Sequence, residues 1–315
     1  MVPFLSLSMD KTVNQRVVTS EELIKLIALL SGQDGSVTPS TKLGDAIALD
    51  SLEKVKLASQ IETVFGIEIC ESSIDDSLSI EAFLEVLNEH QSEQDHLRVK
   101  TLNFSMPVRV MRFVLQTALL PFLRIFYPVT VVGDQYLEII DSPHIFAINH
   151  TSHLDTPTFT KAMPFRIRRK LAFAAAADVF YAENGRDTLP AKLKRRFYEV
   201  SLNIFPFSRK VSLRKSIDNC IQVLQMGYHV CIYPESKRTL DGNMLEFKSG
   251  VGILAHTAQV PVVPVRIDGL FEVLPKGRKL PQFGKVTIRI GKPFIVDDRS
   301  YGEIAHEIRE RVKDL

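Results

Sequence analysis

The 315-residue chain has only three cysteines, Cys70, Cys220 and Cys231. They are spaced too widely for a disulfide framework or a zinc pattern, which fits a reducing compartment. The opening Met-Val-Pro-Phe-Leu has neither a basic start nor a long apolar core, so it does not read as a signal peptide. No stretch reaches the roughly 20 uncharged apolar residues that a spanning helix needs. The longest candidate, Phe113 to Leu123, is bounded by Arg112 and Arg124. Neither a Walker loop nor a dinucleotide fingerprint is present, so nucleotide chemistry has no support. There is no internal repeat and no low-complexity tract.

What is present divides into two halves of opposite charge. Residues 1–95 carry 6 Lys/Arg and 17 Asp/Glu, and the remainder carries 33 basic and 20 acidic residues. The overall charge of +2 therefore hides a net of −11 followed by a net of +13. Two domains of opposite sign follow, able to attract each other or to bind different partners.

In the acidic half, Thr19-Ser-Glu-Glu22 is a capping-box signature, and Leu23, Ile24, Ile27 and Leu30 repeat at helical spacing. A second helix starts at Asp50-Ser51-Leu52, places Leu52, Val55, Ala58, Ile61 and Phe65 on one face, and ends at Gly66. A third begins near Ser79 with Ile80, Phe83, Leu84 and Leu87. Short polar connections between such helices make a small bundle. The stretch "LGDAIALDSLEKVKLASQIETVFGIEI" resembles an acyl carrier protein over about residues 18–90. The resemblance implies 4'-phosphopantetheine carried covalently on Ser51, installed by a phosphopantetheinyl transferase. It also implies that Glu53, Glu62 and Glu68 offer acidic contacts to partner enzymes. A modified serine at a helix N-terminus suits the phosphodiester charge.

Polar, aperiodic sequence from His90 to Leu102 marks a linker, placed at residues 91–104 between domains at 1–90 and 105–315. "MPVRVMRFVLQTALLPFLRIFYPV" follows, with Arg109, Arg112 and Arg124 spaced along an apolar stretch. It reads either as an interfacial helix whose arginines meet anionic lipid or as a helix packed on the next domain. The basic runs "RIRRK" and "KLKRR" also suit anionic lipid or the acidic half. Nucleic acid is not indicated, because no aromatic interleaving accompanies the charge.

Beyond this, "HIFAINH", "KLAFAAAA", "NIFPF", "HVCIYP", "VPVVPVRI" and "KVTIRI" read as strands. Ser212 to Met226, Ser249 to Gln259 and Gly302 to Leu315 read as helices, an α/β alternation around a buried sheet. The stretch "NHTSHLD", Asn149 to Asp155, holds the densest chemistry. His150 ends an apolar strand, and Asp155 lies five residues on. Three readings fit: an imidazole base oriented by a carboxylate, a metal site using His150, His153 and Asp155, or a polar turn that starts a helix.

Residues 140–290 resemble the glycerolipid acyltransferases, the family of lysophosphatidate and glycerol-3-phosphate acyltransferases. Four blocks appear in order: His150-x4-Asp155; Phe205-Pro-Phe-x-Arg209; "YPESKRT" where the family has Phe-Pro-Glu-Gly-Thr-Arg-Ser; and "VPVVPV" at Val260 to Val265. "FKSGVGILA" between the last two is also typical. The resemblance implies that His150 is the general base and Asp155 its orienter, with no metal. Arg209, Glu235 and Arg238 shape the acceptor pocket, and the arginines pair with phosphate. One departure stands out: Ser236-Lys237 replaces Gly-Thr, which bears on the turn and on the acceptor. His153, Cys220 and Cys231 are expected to be structural.

The fold expected is thus a small all-α acyl carrier four-helix bundle followed by an α/β acyltransferase domain with a mixed sheet flanked by helices. The function expected is O-acyl transfer in phospholipid biosynthesis, from a fatty acyl thioester on the carrier or on coenzyme A to a lysophospholipid or glycerol phosphate. It would take place on the inner face of a membrane, in the cytoplasm, with a separate acyl-activating ligase as a further partner. The rival expectations are a non-glycerol acceptor and a non-catalytic carrier module tethered to lipid.

Overall fold

The computed structural model describes residues 18–32, 37–47, 49–69, 71–96, 99–176, 189–208, 212–275, 277–278 and 280–315. The chain divides into two compact units, residues 1–95 and 96–315.

In the first unit, α1 (Ser20–Ser31) opens on the Thr19 capping box, with Glu22 closing it, and ends at Gly32 in the left-handed conformation. A short α2 (Leu43–Ala46) precedes α3 (Ser51–Phe65), whose N-cap Asp50 accepts the Glu53 amide and whose end is Gly66. A 3-10 turn at Glu71–Ser73 leads to α4 (Ile80–His96). Leu23, Ile27, Leu43, Leu57, Ile61, Phe83 and Leu87 form one core. The buried stripe of α3 runs through Leu57 and Ile61, whereas Leu52 and Val55, expected inside, are 62% and 44% exposed. The helix is rotated from the expected face because its neighbours meet it on the Leu57 side. α4 continues through His96, so residues 91–96 are helix rather than the linker expected from 91.

The second unit is built on seven strands: β1 (Val129–Val132), β2 (Ile145–Ile148), β3 (Leu171–Ala176), β4 (Ile204–Phe207), β5 (His229–Ile232), β6 (Val262–Asp268) and β7 (Val286–Ile290). Their order is β1-β7-β6-β2-β5-β3-β4, parallel at every pairing except β6 with β7. The expected mixed sheet is therefore present. β1 lies outside the expected set of strands.

The helices of this unit are α5 (Met106–Leu119), α6 (Leu123–Phe126), α7 (Gln135–Glu138), α8 (Asp155–Ala162), α9 (Phe165–Arg168), α10 (Leu189–Leu202), α11 (Leu213–Gln225), α12 (Gly250–Ala258), α13 (Leu270–Val273) and α14 (Tyr301–Lys313). β2 is central and buried on both sides, as expected of a parallel strand under two helical layers. Ile145 and Ala147 face a core shared with α11, α12 and α14. Phe146 and Ile148 face a second core containing Phe159 of α8 and Tyr127.

Arg112, which the interfacial reading of this stretch would turn toward lipid, is buried on α5. Its guanidinium donates to the carbonyls of Val200 and Asn103 and to Asn203 Oδ1 at 2.7–2.8 Å. Burial lowers its pKa to about 10. The C-terminal carbonyls of α10 stabilise a cation through the helix dipole, and Gln116 donates to the Ser201 carbonyl beside it. Likewise Arg166 of the "RIRRK" run is bound to the carbonyls of Ile140 and Leu137, and Arg196 of "KLKRR" to Asn103 and Glu199. These cations hold helices in place.

Candidate active site

His150 leaves the C-terminal end of β2, and Asp155 opens α8. The intervening turn folds back so that Asp155 Oδ2 accepts from His150 Nδ1 at 2.8 Å and from the Thr151 and Ser152 amides at 2.8 and 2.9 Å. Oδ1 accepts the Thr151 hydroxyl at 3.2 Å. Asp155 is fully buried. Its carboxylate is thus held by its own loop and by the imidazole and does not cap α8. Nδ1 carries the proton toward the carboxylate, which leaves the Nε2 lone pair outward. Nε2 has no hydrogen-bond partner among the described residues, and the ring is partly exposed.

Three further groups fix the imidazole. Tyr233, just after β5, stacks on it with ring centroids 4.3 Å apart. The Tyr233 hydroxyl bonds Thr156 Oγ1 at 2.8 Å, beside Asp155, and burial raises the phenol well above its ordinary pKa. Asn149 staples β2 to β6, with Nδ2 donating to the Ile267 carbonyl and Oδ1 accepting its amide at 2.9 and 2.7 Å. Ser152 donates to the Leu274 carbonyl at 2.8 Å, tying the loop to the end of α13. Tyr233, Asn149 and Ser152 escaped sequence reasoning as site residues, although all lie within the quoted motifs.

Glu235, expected to shape the acceptor pocket, lies beside His150 and is bound to backbone. One carboxylate oxygen accepts the His150 amide and the other the Leu245 amide, both at 2.8 Å. The side chain is 1% exposed, and burial raises its pKa against the lowering effect of those bonds. Glu235 therefore braces the strand end beneath His150, with both carboxylate oxygens engaged by backbone amides. Ser236 has φ of 63°, the left-handed region that favours glycine, and its hydroxyl donates to the Glu235 carbonyl. Serine thus holds a backbone conformation that glycine adopts without steric cost. Lys237 is exposed.

Arg238 is half-buried, with its pKa lowered by burial against the opposing effect of nearby Asp155. It has no hydrogen-bond or ion-pair partner among the described residues. His153, on the rim, is held below its ordinary pKa by desolvation and then by the Arg238 charge. Arg209 lies outside the described residues; Phe205, ahead of it, is in β4. Among the described residues no cluster of three or more His, Cys, Asp and Glu could hold a metal. Cys220 and Cys231 are buried, and burial pushes both thiols up. Asn149 and Thr151, alternating with His150, line a polar cleft with Arg266, Asp268 and Arg309. That cleft lies on the α14 side of the sheet, away from the imidazole.

The Acyltransferase family model matches residues 128–268, which span β1 to the end of β6. The matched stretch is 141 of the 315 residues. A 1-acyl-sn-glycerol-3-phosphate acyltransferase of Chlamydomonas reinhardtii is 30% identical over 168 residues, 53% of this chain and 47% of that one. The chloroplastic enzyme of the same description from Arabidopsis thaliana is 26% identical over 54% of this chain and 44% of its own. Tafazzin of Drosophila melanogaster is 27% identical over 50% and 41%. The chain thus spans about half the length of these relatives. Among solved structures, the 1-acyl-sn-glycerophosphate (LPA) acyltransferase PlsC from Thermotoga maritima aligns at a TM-score of 0.48 and 21% identity, over 84% of this chain and 95% of that one.

Within the matched stretch, three of the four motifs have distinct tasks. The first supplies the dyad. The third supplies the stacking ring, the brace and the free cation. The fourth is β6 itself, where Val262 and Val265 pair with Ile145 and Ile148.

Proposed function

We propose that the domain transfers a fatty acyl group from a thioester to the hydroxyl of a phosphate-bearing glycerolipid acceptor, a lysophospholipid or glycerol phosphate. The observation that carries this reading is the His150–Asp155 pair, with Nε2 open and Arg238 unpaired nearby. Nε2 accepts the proton of the acceptor hydroxyl as its oxygen bonds to the thioester carbonyl carbon. The tetrahedral adduct collapses, the carbon–sulfur bond breaks, and the imidazolium returns its proton to the departing sulfur. Asp155 stabilises the imidazolium in between. Arg238 faces the acceptor phosphate. The relatives' names support acyl transfer in phospholipid biosynthesis.

The first unit is read as the acyl carrier, with Ser51 its attachment site. Ser51 is exposed at the start of a 15-residue helix, Asp50 fills the cap, and the Ser51 hydroxyl has no partner among the described residues, so the position fits a phosphopantetheine arm. Such an arm would supply the thiol that bears the acyl group. Acidic docking would draw on Glu53, Glu62 and Glu68, of which Glu53 also pairs with Lys56 at 2.5 Å. Fusion would raise the local donor concentration. A phosphopantetheinyl transferase and an acyl-activating ligase are the partners this requires.

The domain is further read as peripheral on the inner face of the cytoplasmic membrane. No helix is long and apolar enough to cross a membrane among the described residues. α5 to α6 expose Val110, Phe113, Val114, Phe122 and Ile125, which suits interfacial binding.

The test is mass spectrometry of products. The protein is treated with a phosphopantetheinyl transferase and acyl donor, or given acyl-coenzyme A. Acceptors are lysophosphatidate, glycerol 3-phosphate and monoacylglycerol. Ester formation on the phosphate-bearing acceptors is expected, with monoacylglycerol the poorest. No ester from any pairing would overturn the reading. An unmodified Ser51 peptide beside a modified control carrier would overturn the carrier assignment alone.

A further inference from the structure

Large apolar side chains are exposed again at a site far along the chain from α5, in the turn between α13 and β7. Leu280 is 76% exposed and Phe283 80%. The turn is firmly fastened: the Gln282 amide donates to the Val273 carbonyl at 2.8 Å and the Gly284 amide to the Phe126 carbonyl at 3.3 Å. Gly269 packs so tightly under it that a Cβ there would sit 2.0 Å from the Lys285 carbonyl oxygen. The backbone is thus held on three sides while its two largest side chains face water.

Strand register places this turn at the catalytic end of the sheet. β6 runs parallel to β2, and its last residue, Asp268, pairs with Thr287 at the start of antiparallel β7. Residues 280–285 therefore lie beyond the same sheet edge from which His150 emerges. The Phe283 ring meets Phe126 with centroids 6.2 Å apart, and α6 also exposes Ile125. Arg278 and Lys285 are exposed on either side, without ion-pair partners among the described residues. Fixed apolar tips flanked by cations and continuous with the α5–α6 face match the headgroup boundary of an anionic bilayer.

We propose that the turn at residues 280–285 is a second membrane-contact element, seating Leu280 and Phe283 in the lipid interface beside the catalytic edge. This rests on the interfacial reading of α5 to α6 and adds a second, sequence-distant point of contact. Two such points fix the orientation of the His150 edge to the lipid, where a single helix would leave the domain free to roll.

The chain contains no tryptophan, so a single introduced indole reports alone. Phe283→Trp, Phe122→Trp and Tyr301→Trp are compared in the full chain, Tyr301 standing at the opposite sheet edge beyond the end of β7. The vesicles are phosphatidylcholine–phosphatidylglycerol with brominated acyl chains. Phe283→Trp emission is expected to shift blue and be quenched, and Tyr301→Trp to do neither. Quenching of Phe122→Trp without Phe283→Trp overturns this inference and leaves α5–α6 binding standing. Quenching of neither overturns both. Leu280→Asp and Phe283→Asp should each weaken vesicle partitioning by about tenfold, with unchanged thermal midpoints because both side chains are exposed. Unchanged partitioning, with loss of a dimer on sizing, would instead make the turn a contact between copies and overturn the proposal.

Discussion

At the scale of single residues, the site depends on one carboxylate serving several donors at once. Asp155 meets an imidazole and two amides through one oxygen, so it orders the loop as well as the base. Asp155→Asn should therefore do more harm than loss of charge alone, because an amide cannot accept at both positions. His153→Ala should leave the transfer rate nearly unchanged, as His153 is not among the hydrogen-bond partners of Asp155 or Tyr233. Ser236 offers a sharper stability test. Left-handed backbone costs an L-residue roughly 1–2 kcal/mol, and more if it is β-branched. Ser236→Gly should hold or raise the thermal midpoint, and Ser236→Val should lower it. Equal midpoints for the two variants would count against a strained turn. The pairing of His150 with Asp155 was legible through the resemblance of the four ordered motifs, whereas the spacing alone left a catalytic pair, a metal site and a polar turn open. The role of Glu235 was not, since spacing cannot reveal that both of its oxygens would meet backbone amides.

At the scale of elements, buried polar clamps set the positions of the helices. Arg112 is a cation satisfied by carbonyls and an amide oxygen, with no carboxylate partner among the described residues. Hydrogen bonds to charged groups contribute about 1.5–3 kcal/mol. Arg112→Met should lower stability by roughly 2–3 kcal/mol in denaturant unfolding and loosen α5 from α10. A variant as stable as the parent would show that the clamp contributes nothing. Strands β2 to β7 were readable as apolar runs closed by polar or proline punctuation. β1 was missed because Val129–Val132 alternates partly buried and exposed residues at the sheet edge, with no continuous apolar run. α10 was read as a basic run because its inward residues, Glu199 and Val200 among them, look no different in sequence from its exposed Lys192 and Lys194. The rotated face of α3 was illegible for a related reason: Leu52, Val55, Leu57 and Ile61 are all apolar, and only the packing partners choose between them.

At the scale of the whole molecule, the sheet carries a pH dependence at its non-catalytic end. His229 opens β5, is 3% exposed, and accepts the His144 amide on Nδ1 at 3.2 Å. Burial, then the nearby His144, Lys170 and Arg166, lowers its pKa to about 3. The unfolded imidazole titrates near 6.5. Below that pH the unfolded chain binds a proton that the native state refuses, so stability falls from about pH 6.5 down toward 3. At pH 5 the loss from this residue is on the order of 2 kcal/mol. His229→Gln should show a smaller drop in thermal midpoint between pH 7.5 and 5 than the parent; an equal drop would exclude His229 as the source.

The central claim is that one imidazole, aimed by one buried carboxylate, performs the transfer. It is tested most directly by timing ester formation from acyl thioester and lysophosphatidate in His150→Ala and the parent, at matched thermal stability. Loss of a general base lowers the rate by about 10²- to 10⁴-fold, and that loss is the result expected here. If His150→Ala forms ester as fast as the parent, the His150–Asp155 pair is only a structural turn.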